Sequence, residues 1–101
     1  MGFAINLETE RGEILVTVLD PTNLLHRLLE RSSDLEPILE EIDWYGNTVF
    51  NRLQIPRFLS NWETLASQAR HPNELEMVNH VKALAIRCGE SVHLYLKFVG
   101  E

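Results

Sequence analysis

Four histidines (His26, His71, His80, His93) and one cysteine (Cys88) are the first side chains to test for a metal site or a covalent intermediate. No histidine lies three or four residues from another, and neither Cys-x-x-Cys nor His-Glu-x-x-His occurs, so the usual two-ligand spacing is missing. No metal site and no cofactor are expected. Cys88 shares a helical phase with Leu84 and Val81, which predicts a buried thiol rather than an ionised nucleophile. No glycine-rich phosphate loop or Gly-x-Ser-x-Gly elbow is present. Carboxylates buried as a pair could do acid/base work, but consecutive acids on an amphipathic helix are ordinarily solvated.

The densest functional pattern is instead electrostatic. Between Glu30 and Tyr45 stand six carboxylates (Glu30, Asp34, Glu36, Glu40, Glu41, Asp43) against Arg31 alone, and the run ends on Trp44-Tyr45. Such a run reads either as a solvated helix followed by a core tryptophan, or as a contact surface in which aromatic rings bury area while the charges orient a partner. On the second reading the protein is a non-enzymatic interaction module of inhibitor or immunity type. Asp43, Trp44 and Tyr45 then anchor a basic protein partner, and Glu36, Glu40 and Glu41 steer it. The alternative is a small-molecule or weak enzymatic site where Tyr45, Asn51 and Arg52 meet His93, Tyr95 and Lys97, three residues that alternate along one strand face.

Charge is unevenly divided. The net charge is −6, with ten acids against three bases in residues 1–43 and three acids against five bases in residues 44–87. The nine basic residues are dispersed, so no nucleic-acid partner is expected. One cysteine cannot make an internal disulfide, the N-terminus lacks a basic region followed by a long apolar one, and no stretch approaches the roughly 20 apolar residues of a membrane span. These features read as a cytoplasmic protein with no membrane partner. Hydrophobic residues at 45% and charged residues at 24% are ordinary globular usage, and 101 residues have room for one core, so residues 1–101 read as a single domain.

The elements that would hold these side chains follow from periodicity. Phe3, Ile5 and Leu7, then Ile14, Val16 and Val18, alternate on either side of Glu10-Arg11-Gly12, which predicts a β-hairpin. Asp20-Pro21 introduces a helix with Leu24, Leu25, Leu28 and Leu29 on one face. Ser33 and Glu36 have capping-box spacing for a short helix through Ile38, Leu39 and Ile42. After a break at Tyr45-Gly46-Asn47-Thr48, Val49, Phe50 and Leu53 fit a helical turn or a short extended stretch equally well. Pro56 opens a helix through Trp62, a core residue by its phase, which His71-Pro72 ends. Asn73 caps the next helix, with Glu76 three residues on, and Gly89 stops it. Residues 91–99 alternate as a final strand. The predicted fold is α+β in two layers: a three-stranded antiparallel sheet, made of the N-terminal hairpin and the C-terminal strand, with three to four helices packed on one face. An exposed sheet edge makes a homodimer a further expectation.

The segments Tyr45-Gly46-Asn47-Thr48-Val49-Phe50-Asn51-Arg52-Leu53-Gln54-Ile55-Pro56 and Val92-His93-Leu94-Tyr95-Leu96-Lys97-Phe98-Val99-Gly100 resemble a group of small uncharacterised bacterial proteins. More loosely, so do Asp20-Pro21 and the leucines around His26, so the resemblance spans most of the chain. It implies a bacterial cytoplasmic origin. It carries over no catalytic residue, because no activity is assigned to that group.

Overall fold

Strand alternation at the N-terminus is realised as β1 (Phe3–Thr9) and β2 (Ile14–Asp20), paired antiparallel in a computed structural model that describes residues 3–100. Gly12, at φ +85°, supplies the left-handed residue of the connecting loop, and the Thr9 hydroxyl accepts from the N–H groups of Arg11 and Glu13. Then follow α1 (Leu24–Arg31), α2 (Pro37–Glu40), β3 (Asn47–Phe50), α3 (Ile55–Ala66), α4 (Pro72–Gly89) and β4 (Leu94–Val99). The strands form one antiparallel sheet in the order β2-β1-β4-β3.

The fold is α+β as expected, but the sheet has four strands rather than three. The added strand comes from the segment that periodicity left open. β4 is wanted on both edges, and Asn47–Phe50 pairs with it through Thr48 opposite Phe98 and Phe50 opposite Leu96, burying Phe50. β4 itself starts later than alternation suggests, since Val92 and His93 belong to a turn.

One sheet face and the helices enclose the core. Phe3, Ile5 and Leu7 of β1, with Leu96 and Phe98 of β4, meet Phe58, Trp62 and Leu65 of α3 and Val78, Val81, Ala85 and Cys88 of α4. The rings of Phe50, Phe58, Trp62 and Phe98 interlock with centroids 4.8 to 6.2 Å apart. Trp62 is buried as expected, and its indole N–H donates to the Val78 carbonyl at 2.9 Å.

Helix starts depart from the sequence reading in instructive ways. Asp20 does serve α1, accepting from the N–H groups of Leu24 and Leu25 at 2.9 and 3.0 Å, but Pro21 lies in the turn before the helix. α3 ends at Ala66, so Pro72 opens α4 rather than closing α3. Glu74, not Glu76, reaches back there, its carboxylate accepting from the N–H groups of Arg70 and His71. Ser33 does not cap α2, which begins at Pro37. Its backbone is tied to Gln68 instead. Among the described residues no helix is long and apolar enough to cross a membrane.

Candidate functional site

The acidic run folds around a cleft. Between the end of α1, the loop that follows and α2 lies a hollow of ≈ 280 Å³ with Leu29, Leu35, Leu39 and Trp44 as apolar walls and Glu30, Asp34 and Glu40 at its rim, beside Ser32 and Ser33. That volume is at the lower limit of small-molecule sites, so it suits one inserted side chain better than a cofactor.

The loop forming the rim is fastened from behind. Ser32 closes α1, its hydroxyl donating to the Leu28 carbonyl at 2.6 Å. Gln68, just past α3, holds Ser33 by two reciprocal bonds: its side-chain oxygen accepts from the Ser33 N–H at 2.9 Å, and its amide donates to the Ser33 carbonyl at 2.7 Å. Asn61 accepts from the Glu36 N–H at 2.7 Å. Asp34 takes a left-handed conformation (φ 62°), which a short polar side chain tolerates and which turns the chain between these two clamps.

Below the loop, Arg31 grips Glu74 of α4 with two hydrogen bonds of 2.9 and 3.0 Å. That guanidinium, followed by the backbone N–H of Arg70, holds the Glu74 carboxyl down at about 2. Arg31 is therefore engaged in joining α1 to α4 rather than in neutralising the rim.

Trp44 is set by packing. Its ring stacks on His26 at 4.4 Å with 13° between planes and leans on Phe3 at 4.7 Å. His26 in turn meets Glu30 one helical turn on, Nε2 to Oε1 at 2.8 Å. Behind Trp44, Gly100 passes so close that a Cβ there would stand 2.5 Å from the Trp44 carbonyl.

Of the residues expected to bind a partner, Glu40 and Trp44 line the cleft. Glu36 is exposed, 4.0 Å from Arg57 of α3. Glu41, the residue that caps the end of α2, is exposed. Asp43 shapes the turn: its carboxylate accepts from the Tyr45 N–H at 2.9 Å, and its own N–H donates to Thr48. Tyr45 is 80% exposed. Among the described residues, Asp34, Glu40 and Glu41 form no ion pair. Glu30, Asp34 and the leucine walls were missing from the expected contact set. The spacing of Leu29, Leu35 and Leu39 between the acids was the signal that could have named them.

The alternative set is spread out. Asn51 builds the entry to α3, its side-chain oxygen accepting from the N–H groups of Leu53 and Gln54, and Arg52 is exposed beside it. His93 sits in the turn before β4 against Glu10, Nδ1 to Oε2 at 3.2 Å, in a hollow shared with Thr9, Arg11 and Glu13. Tyr95 and Lys97 lie on the sheet face that the helices leave open, opposite Glu8 and Asn6 of β1. Cys88 is buried, 3.5 Å from the Leu94 carbonyl, and burial pushes its thiol up to about 11, which keeps it protonated and unreactive. Among the described residues no group of three or more His, Cys, Asp or Glu is placed to hold a metal ion.

No family model matches the chain, and neither a curated protein nor a solved structure matches it. The reading of the site therefore rests on its own geometry.

Proposed function

We propose that this protein is a non-enzymatic interaction module, of inhibitor or immunity type, that receives a long basic side chain of a protein partner in the cleft beside Trp44. The observation that carries this reading is the pairing of apolar walls with two carboxylates at the mouth, Asp34 and Glu40, that form no ion pair among the described residues. Leu29, Leu35, Leu39 and Trp44 match the methylene stem of an arginine or lysine, and Asp34 and Glu40 stand where its charged head emerges. Because the rim loop is clamped by Gln68 and Asn61, the loop itself has little ordering left to undergo on docking, which favours affinity.

The test is capture from a lysate of the source cells at low and high salt, with wild type and the Asp34→Asn/Glu40→Lys variant side by side. Asparagine keeps the left-handed turn at position 34 and Glu40 is exposed, so the fold is retained. A basic protein held by the wild type at low salt and lost from the variant supports the reading. Equal recovery by both proteins, or recovery indifferent to salt, removes it.

A further inference from the structure

The sheet face away from the helices is more apolar than an open face requires. β2 from Ile14 to Leu19 carries no charge and is apolar on both sides, the pattern of a strand covered on both faces. Only its inner side is covered here. The register slips between Leu7 and Glu8, so β2 has one extra residue and presents Ile14 and Leu15 together opposite Glu8. Both are exposed, as are Leu19 on the same strand and Val49 on β3 at the far margin of the sheet.

Polar groups at the centre of this face are already satisfied. Thr17 donates to the Asn6 side-chain oxygen at 2.9 Å, Asn6 donates to Glu8 at 3.1 Å, and Lys97 lies 3.9 Å from the other Glu8 oxygen. Asn6 and Glu8 are buried within the isolated chain, so covering the face strips water from few additional polar groups.

Charge favours a second copy of this chain over a strongly charged partner. Within the strands the face carries Glu8 and Lys97, which cancel, whereas the whole chain is at −6. It is thus a place where two acidic copies can meet with little repulsion, while a basic partner gains nothing there. Four strands about 4.8 Å apart and roughly 20 Å long give a footprint of about 400 Å² per copy, short of the ~800 Å² per partner of a standard interface. β2 edge pairing alone would cover about a quarter of that.

We infer that a second copy of this chain packs its outer sheet face on this one, giving two stacked sheets about 10 Å apart with the helical layers outermost. The contact is separate from the acidic cleft, and its small footprint makes the dimer a weak one, formed only toward roughly millimolar concentration.

Sedimentation equilibrium across micromolar to millimolar protein tests this, with Leu19→Glu and Val49→Glu as variants and circular dichroism to verify folding. Wild type is expected to approach twice 11.7 kDa, and each variant to raise the dissociation constant at least tenfold. Leu19 and Val49 lie on the two opposite edge strands, about 14 Å apart across the sheet, so only a contact through the face loses affinity with both variants. A monomer at every concentration overturns the inference and leaves the face to a different protein. A dimer that survives Val49→Glu also overturns it, in favour of edge pairing through β2, and one that survives Leu19→Glu overturns it in favour of edge pairing through β3.

Discussion

Glu74 shows how one side chain can take up the charge of the residue nearest the site. Its carboxyl is held at about 2 against an ordinary 4.5, chiefly by the Arg31 guanidinium, so the ionised form is favoured in the folded state. A depressed folded value means a contribution that is complete above about pH 5 and fades as pH falls through about 2. Urea denaturation across pH should therefore show Glu74→Gln less stable than wild type at pH 7, with the gap closing toward pH 2. A gap that stays constant over that range would mean the carboxylate's charge does not matter. Gly100 sets a second limit at this scale. Gly100→Ala drives a methyl group into the backbone of Trp44, and shifting that turn should cost about 1–3 kcal/mol by urea denaturation while loosening one wall of the cleft.

At the level of elements, the start of α1 offers a clean measurement. Asp20 is fully buried and accepts from two helical N–H groups, so Asp20→Ala should destabilise the protein by about 1–2 kcal/mol in urea melts, while Asp20→Asn keeps part of that. This device was legible in the chain because it spans five residues. The hairpin, α1, the leucine and aromatic faces of α3 and α4, and β4 were legible for the same reason: each is written in a local period. β3 was not, because four residues with one buried ring make too short an alternation, and only the free edge of β4 decides that they extend. His71-Pro72 reads locally as a stop because a proline can follow one helix or open the next. The irregular residues after Ala66 made it a beginning. The cleft was legible only as an acidic run ending in aromatics. Its walls and its rigidity depend on Gln68 reaching Ser33 across 35 residues and on Asn61 reaching Glu36 across 25, contacts that no local pattern records.

For the whole molecule, the two proposed surfaces differ in charge, and so they must differ in their response to salt. The cleft rim belongs to a half of the chain with ten acids against three bases, and its field acts on a basic partner before contact. At 0.1 M salt the screening length is about 10 Å, so raising salt from about 50 to 500 mM should slow association with that partner roughly tenfold or more, read by stopped-flow mixing. Dissociation of the bound complex should change far less, because close contacts inside the cleft are poorly screened. The sheet face carries no net charge on a chain at −6, so added salt removes repulsion between copies and leaves apolar packing intact. Dimer dissociation should therefore stay level or weaken over the same range, which sedimentation at 50 and 500 mM salt measures. Opposite slopes assign the two contacts to two surfaces. If dimerisation is lost with salt in parallel with partner binding, both events use the acidic rim, and the open sheet face has no part in either.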